Sequence, residues 1–106
     1  TRYASSFLPM DEALVLVAVD VSGRPYLAYD VDFATDRAGD FEACLIEEFL
    51  RGFAFAAGIT LHVKKMYGSN THHIMEAIMK GLGRALCEAA TLNPRVKGIP
   101  STKGVL

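Results

Sequence analysis

Runs of apolar residues in the first part of the chain predict two β-strands joined by a turn. Residues 12–20 are apolar almost throughout and rich in valine, so we expect a strand that is covered on both faces or lies at a subunit contact. Residues 21–25 contain serine, glycine and proline, which favour a turn, and residues 26–29 then supply the return strand of a hairpin. We expect residues 1–11 to form a loop or a short strand, and residues 30–40 a loop.

Helical periodicity follows the predicted hairpin. Residues 41–57 carry two apolar stripes, which predict a helix that is buried on most sides and ends at Gly58 as its C-terminal cap. Residues 60–66 alternate and predict a strand, and a second helix is expected over residues 70–89, capped by its first asparagine or threonine. The order β-β-α-β-α predicts an α+β fold with two helices on one face of a small, mostly antiparallel sheet.

Length, charge and cysteine usage restrict the class of protein. The chain has 106 residues, which suffice for one small domain. A net charge of −1 gives no basic surface for nucleic acid, and no apolar run approaches the roughly 18 residues that a membrane helix requires. The two cysteines lack metal-binding spacing, which favours a reducing cytoplasmic compartment. A start without methionine suggests a fragment or a processed terminus.

The start of the second predicted helix concentrates side chains that bind metals. His72, Glu76 and Lys80 recur every four residues and share one helix face, so His72 and Glu76 are able to bind one ion. His73 points about 100° away around the helix axis. Either one histidine alone binds metal, or the two bind different ions, with two subunits contributing. Ion pairs on a solvated helix face would also explain the row.

Other residues add weaker signals. Glu48 lies on an apolar helix, where burial of an acid is costly unless it is paired or binds a cation, and it reaches the second helix if the two helices lie side by side. Imidazoles with carboxylates suit a first-row divalent ion such as manganese, iron or zinc. We interpret His62 on its strand as a structural histidine. Ser101 and Lys103 lie in a segment that is able to cradle an anion.

Four segments together resemble the C-terminal half of imidazoleglycerol-phosphate dehydratase, the manganese enzyme of histidine biosynthesis. They are residues 9–14 with 20–26 (PMDEAL and DVSGRPY), residues 47–49 (EEF), residues 58–63 with 72–77 and Lys80 (GITLHV and HHIMEA), and residues 100–104 (PSTKG). They follow one another in the family's order and spacing over nearly the whole chain, and together they are far more specific than the HHxxE pattern alone.

The resemblance implies a fold, an activity and an assembly. The family's domain is a duplication of two β-β-α-β-α halves, ribosomal protein S5 domain 2-like, of which residues 1–106 match the second and the N-terminal half is absent from this chain. The resemblance implies dehydration of imidazole glycerol phosphate to imidazole acetol phosphate, two manganese ions per active site at subunit interfaces, and a homo-oligomer that is a 24-mer. It also implies a cytoplasmic enzyme, or a plastid one in a plant.

The resemblance also implies roles for single residues. His72, His73 and Glu76 match metal ligands, and Glu48 matches a position where family members carry a histidine or an acidic ligand. Asp11 matches a residue near the reacting glycerol portion, and Asp11 and Glu76 are the candidate catalytic acid and base groups. The residues that match the binding site of the substrate phosphate are Arg2, Arg24, Lys80, Ser101 and Lys103.

Because the first half is missing, different classes of function remain open. The chain forms the dehydratase together with the other half, in which case the chain alone binds manganese weakly and turns over little substrate. Alternatively, it is a catalytically incomplete, metal-binding and oligomer-forming half-domain. A structural α+β domain with a charged helix face is the third alternative.

Overall fold

The computed structural model describes residues 2–91, which form one sheet layer and one helix layer. In chain order the elements are β1 (Tyr3–Met10), β2 (Ala13–Asp20), β3 (Tyr26–Asp30), β4 (Arg37–Ala38), β5 (Phe41–Glu42), α1 (Cys44–Ala57), β6 (Thr60–Tyr67) and α2 (Thr71–Ala90). The main sheet has the order β1-β2-β6-β3, and β4 and β5 form a separate short ribbon. The α+β class and the two helices packed on a mostly antiparallel sheet are confirmed.

The first two strands form a hairpin that the apolar pattern does not predict. Met10 pairs with Ala13, so Asp11 and Glu12 form a two-residue turn, in which Asp11 adopts a positive φ of 52°. Aspartate tolerates this left-handed conformation better than most residues. The edge position of β1 also accommodates Pro9, because an edge strand loses little when one N–H donor is missing. The expected loop or short strand is therefore an eight-residue edge strand.

The predicted hairpin between residues 12–20 and residues 26–29 is wrong. Strand β6 inserts between β2 and β3, running antiparallel to β2 and parallel to β3, and Leu27 is level with Leu61. Neighbouring strands lie about 4.8 Å apart, so residues 21–25 cross about 10 Å to leave room for β6. The turn chemistry of this segment predicts the reversal of direction correctly, but it contains no information on the strand that fills the gap.

The hydrophobic core lies between one face of the sheet and the two helices. Alternate residues of β2 are buried on this face, from Ala13 to Val19, and the side chains of both helices complete the core. Helix α2 packs over β1 and β2, whereas α1 packs over β3. The backbone of α2 comes close to the sheet at Gly81, where an added Cβ would lie 2.8 Å from Cγ2 of Val17.

Helix α1 is shorter and less buried than its apolar pattern predicts. It begins at Cys44 rather than at residue 41, because residues 41–42 belong to the short ribbon. Gly58 adopts φ of 67° and its N–H donates to the carbonyl oxygen of Ala54, which confirms the predicted C-terminal cap. Neither helix of the described residues is long and apolar enough to cross a membrane.

Only one of the two apolar stripes of α1 is buried. Ile46 and Leu50 pack into the core, whereas Leu45 and Phe49 on the other stripe are 41% and 48% exposed. The expectation of a helix buried on most sides is wrong for this chain by itself, because the sheet covers α1 from one direction only. The exposed stripe is a large apolar surface on a helix of a small protein, and surfaces of this kind mark contacts with other chains.

The face of the sheet opposite the helices has no covering layer among residues 2–91. Tyr3, Phe7 and Tyr26 project from it and are 58–66% exposed, while Leu16 beside them is half-buried. Full coverage of β2 on both faces is therefore wrong for this chain, and the alternative of a subunit contact stays a prediction.

Candidate metal and substrate site

Two side chains accept hydrogen bonds from the backbone at the start of α2. One is Asn70, next to the helix, and the other is Glu12, in the β1–β2 turn. Oδ1 of Asn70 accepts the backbone N–H of His73 at 2.9 Å, so Asn70 is the N-terminal cap. Oε2 of Glu12 accepts the N–H groups of Ser69 at 2.9 Å and Asn70 at 2.7 Å. A carboxylate at this position also interacts favourably with the positive end of the helix dipole. The β1–β2 turn is thereby bound to the start of α2.

A glycine allows this close approach. Gly68 adopts φ of 145°, and a Cβ added to it would lie 2.8 Å from Cβ of Ala13. Any side chain at this position would push the start of α2 away from the β1–β2 turn, and it would also be strained in this backbone conformation.

His73 lies between the two acids of the turn. Its Nδ1 is 2.7 Å from Oε1 of Glu12, and its Nε2 is 3.4 Å from Oδ2 of Asp11. Hydrogen bonds from the backbone of Asn70 and from His73 lower the pKa of Glu12 to about 2, and the hydrogen bond to Glu12 raises the pKa of His73. An ionised carboxylate only accepts hydrogen bonds, so Nδ1 carries the proton between the two side chains.

His72 and Glu76 lie in one row on the exposed side of α2. Nε2 of His72 is 3.5 Å from Oε1 of Glu76, and Nζ of Lys80 is 3.2 Å from the other oxygen of Glu76. The rings of His72 and His73 have centroids 6.4 Å apart and planes inclined by 63°. The predicted geometry is confirmed: one row contains a histidine, an acid and a lysine, and the second histidine points elsewhere. The roles of these residues as ligands stay a prediction.

The donor atoms of His72 and Glu76 suit a divalent cation. Two ligand atoms bound at about 2.1 Å to a tetrahedral or octahedral ion lie about 3.0–3.4 Å apart, so the observed 3.5 Å requires only a small side-chain adjustment. Among residues 2–91, no group of three or more histidine, cysteine, aspartate or glutamate side chains is arranged to hold a metal ion. Within the described residues, His72 and Glu76 would therefore supply two of the ligands that such an ion needs.

Glu48 does not join these residues within the chain. Its side chain is exposed on α1, where it lines a shallow surface hollow together with Glu47, Arg51 and Phe55. The expectation that Glu48 reaches the start of α2 in the same chain is wrong, because α1 and α2 cover different strands of the sheet. Ligation by Glu48 from another copy of the chain stays a prediction.

Two of the predicted phosphate-binding residues lie at the far end of the sheet. Nε of Arg2 donates to Oδ1 of Asp20 at 3.0 Å, and the guanidinium of Arg24 donates to the carbonyl oxygen of Ser22 at 3.4 Å. Both arginines therefore lie where β2 ends and β3 and β6 begin. Both arginines are exposed to solvent.

The length of β1 separates these arginines from the start of α2. Arg2 precedes Tyr3 and Asp11 follows Met10, and eight residues of antiparallel strand span about 24 Å between the first and last Cα atoms. Lys80 lies on α2. Ser101 and Lys103 lie outside the described residues. A single copy of the chain therefore does not bring Arg2 and Asp11 to one site.

His62 lies on the other side of the sheet from α2. It is exposed on the uncovered face, with its ring centroid 6.3 Å from that of Tyr26. The sheet itself separates it from His72 and His73, so His62 does not contribute to their site within one chain.

Glu12 is the residue of this region that sequence analysis does not single out. The apolar pattern assigns it to the start of a strand, whereas the structure places it in a turn with three hydrogen bonds to the segment from Ser69 to His73. The pair of consecutive acids before a strand is the only local signal. The partner of Glu12 lies 61 positions away, so no spacing rule reveals it.

Comparisons with known proteins point to one family. The family model for imidazoleglycerol-phosphate dehydratase matches residues 1–86. The imidazoleglycerol-phosphate dehydratase of Acetivibrio thermocellus is 60% identical over 105 residues, and that of Thermoanaerobacter pseudethanolicus is 57% identical over 105 residues. Each alignment covers 99% of this chain and 54% of the relative, so the chain spans about half the length of the curated relatives it matches.

Solved structures of similar proteins have the same fold. The crystal structure of the Staphylococcus aureus imidazoleglycerol-phosphate dehydratase matches with a TM-score of 0.85 and 43% identity, over 87% of this chain and 54% of that one. The enzyme from Pyrococcus furiosus matches with a TM-score of 0.83 and 46% identity, over the whole of this chain and 58% of that one.

Proposed function

Because the chain belongs to the imidazoleglycerol-phosphate dehydratase family, we propose that it is the C-terminal half of an enzyme that dehydrates imidazole glycerol phosphate to imidazole acetol phosphate in histidine biosynthesis. The observation that carries this proposal is the family match over residues 1–86, which includes His72, His73 and Glu76 at the start of α2. The proposed enzyme needs an N-terminal half as well as these residues, and it is cytoplasmic, or plastidic in a plant.

Two manganese ions per active site are part of the proposal. His72 and Glu76 would hold one ion, since their donor atoms lie 3.5 Å apart on an exposed helix face. His73 would hold the other through Nε2, and Glu48 of another chain would complete one of the two spheres. The metal supplies Lewis acidity towards the imidazole ring of the substrate.

The remaining residues of α2 and the β1–β2 turn suit proton transfer. Dehydration requires a group that removes a proton next to the imidazole ring and a group that donates one to the departing hydroxyl. Asp11 presents an exposed carboxylate beside His73, so it is placed to exchange protons with the glycerol portion of a bound substrate. Glu76 already has partners at both oxygens, His72 and Lys80, which makes Asp11 the freer acid of the two.

Charge-assisted hydrogen bonds would bind the phosphate. The proposed set is Arg2, Arg24, Lys80, Ser101 and Lys103. Arginine forks suit phosphate oxygens, and Lys80 would exchange its exposed ion pair with Glu76 for the phosphate. Arg2 and Asp11 lie at opposite ends of β1, so a site that uses both draws them from different copies of the chain. This division supports an active site at a subunit interface.

Two exposed apolar surfaces support partners for this chain. One is the uncovered sheet face with Tyr3, Phe7 and Tyr26, and the other is the stripe of α1 with Leu45 and Phe49. Two separate surfaces are what a half-domain needs if it contacts both the N-terminal half and other copies of itself in a 24-mer.

Reconstitution tests the proposal. The chain is produced alone and together with the N-terminal half of the Acetivibrio thermocellus relative, and turnover of imidazole glycerol phosphate is measured with manganese present. We expect little or no turnover from the chain alone and activity from the mixture. Full activity of the chain alone would contradict the need for the other half, and a metal-loaded but inactive mixture would contradict the dehydratase.

The second candidate is a metal-binding, oligomer-forming half-domain without catalysis. It is favoured by the incomplete coordination sphere of one chain and by the distance between Arg2 and Asp11. Native mass spectrometry with bound-metal analysis distinguishes the two candidates: a large, manganese-loaded assembly without turnover in any mixture would establish the second.

A further inference from the structure

Glu12 reaches from the β1–β2 turn to the ring of His73, and its role is not explained by the proposed ligands. We propose that Glu12 is a positioning residue for His73: it holds the imidazole proton on Nδ1 and thereby leaves the lone pair of Nε2 for a divalent cation. The identification of that cation as manganese rests on the proposed function. The proton position itself does not.

The orientation of the Glu12 carboxylate is fixed by its surroundings. Oε2 accepts two backbone N–H groups, from Ser69 and Asn70, which leaves Oε1 directed at His73 at 2.7 Å. The backbone of His73 is held in turn, because its N–H donates to the side chain of Asn70. Four hydrogen bonds therefore fix Glu12 and His73 relative to each other, and they connect the β1–β2 turn to the start of α2.

The arrangement is one that metal-binding histidines commonly need. A histidine binds a cation through one ring nitrogen, and a carboxylate that accepts the proton of the other nitrogen fixes the tautomer and the ring orientation. Asp11 is the only other acid in contact with His73 among residues 2–91, and it lies 3.4 Å from Nε2, on the side that the cation would approach. Glu12 alone contacts Nδ1 in this part of the chain.

A glutamine at position 12 separates this role from a purely structural one. The two backbone N–H groups require an oxygen, so the amide oxygen of Glu12→Gln would take the place of Oε2. The amide NH₂ would then face Nδ1 of His73 and donate to it. His73 would have to accept at Nδ1 and carry its proton on Nε2, the reverse of the wild-type arrangement, while the turn stays bound to the helix.

Nitrogen NMR of the histidine ring measures the proton position directly. Long-range ¹H–¹⁵N correlation spectra of the metal-free chain are recorded at a pH at which His73 is neutral. The samples are wild type, Glu12→Gln and Asp11→Asn. We expect the Nδ1–H tautomer in wild type and in Asp11→Asn, which removes an equal charge without contacting Nδ1, and the Nε2–H tautomer in Glu12→Gln. The same tautomer in wild type and Glu12→Gln would overturn the proposal.

Manganese affinity gives the second readout. We compare the double variant Glu12→Gln/His72→Ala with the single variant His72→Ala by electron paramagnetic resonance titration of the complex with the N-terminal half. The shared His72→Ala substitution ensures that only the ion of His73 is counted. We expect a loss of about 10- to 100-fold in affinity, the range found for partners of metal ligands. An inverted tautomer with unchanged affinity would overturn the link to the cation. A His72→Ala chain that binds no manganese would instead contradict the His73 site of the proposed function, and the tautomer would still decide the role of Glu12.

Discussion

Glu12 and His73 are 61 positions apart in the chain, yet Oε1 of Glu12 lies 2.7 Å from Nδ1 of His73. This contact joins the tip of the β1–β2 hairpin to the first turn of α2. It brings Asp11 to the same histidine, because Asp11 is the other residue of the two-residue turn. The β1–β2 turn and the start of α2 therefore act as one unit in stability as well as in the candidate site.

The first prediction concerns acid stability of the metal-free chain. The pKa of Glu12 falls from 4.5 to about 2 on folding, because Asn70 and His73 donate hydrogen bonds to the charged form. Below pH 4.5 the unfolded chain binds a proton that the folded chain does not, so the free energy of unfolding decreases as pH falls from about 5 to about 2. We expect the free energy of unfolding of Glu12→Gln to decrease less than that of wild type over this pH range, because glutamine does not titrate.

Urea unfolding at intervals from pH 7 to pH 2 measures this effect. The control is Glu88→Gln, which removes an exposed acid from the last part of α2. It should retain the decrease seen in wild type. Equal pH profiles for wild type and Glu12→Gln would show that the hydrogen bonds of Glu12 do not stabilise the folded chain.

The second prediction concerns the contact between α2 and the sheet. Gly81 and Gly83 lie on the same helix, but a Cβ at Gly81 would meet Val17 at 2.8 Å, whereas nothing lies within 4 Å of a Cβ at Gly83. We expect Gly81→Ala to lower the free energy of unfolding by about 1–3 kcal/mol through overpacking. Gly83→Ala should raise it by about 0.5–1 kcal/mol, because alanine favours the helix.

Chemical denaturation of the two single variants provides the comparison, and a double variant tests the cause. Val17→Ala removes the Cγ2 atom that an alanine at position 81 would meet. It should therefore lower the free energy of unfolding by less in the Gly81→Ala background than in wild type. Similar stabilities for Gly81→Ala and Gly83→Ala would contradict the close approach of α2 to β2.

The third prediction concerns the number of ions at α2. If His72 and Glu76 bind one ion, His72→Ala and Glu76→Ala should each weaken the binding of that same ion, and the double variant should weaken it by less than the sum of the two effects. His72→Ala combined with His73→Ala should instead lose both classes of bound manganese. Each single substitution is expected to weaken its own ion by at least about tenfold, since one of few protein ligands is lost.

Manganese titration of the complex with the N-terminal half checks these classes. Arg84→Ala is the matched control, because Arg84 lies one turn beyond Lys80 in the same row of α2. It should leave both classes unchanged. Equal loss of both classes in every single variant would indicate one shared ion, which the divergence of the His72 and His73 rings argues against.

Local patterns predict the two helices and the strands β2, β3 and β6, because each of these patterns arises within one element. The alternation of residues 60–66, the cap at Gly58 and the row from His72 to Lys80 are examples, since i,i+4 spacing alone brings Nε2 of His72 to 3.5 Å from Glu76. Residues 1–11 are predicted only as a loop or a short strand, because two serines and Pro9 interrupt the apolar alternation along β1.

Contacts between distant segments were beyond the reach of local patterns. Strand β3 pairs with β6 rather than β2, and the apolar pattern of β3 would be the same with either neighbour. Glu12 was missed for the same reason, since its partners are the segment from Ser69 to His73. The expectation that Glu48 reaches α2 is wrong because the sheet determines where the two helices lie relative to each other, and the periodicity of each helix contains no information on this placement.

The insertion of β6 between β2 and β3 has a consequence for the order of folding. As the chain is synthesised, only β1 and β2 are able to pair through local contacts, and β3 has no neighbouring strand until residues 60–67 arrive. Strand β6 then joins the two parts into one sheet, and α2, which follows it directly, closes over β1 and β2. We therefore expect the contact between His73 and Glu12 to form after β6 has completed the sheet, because His73 follows β6 in the chain.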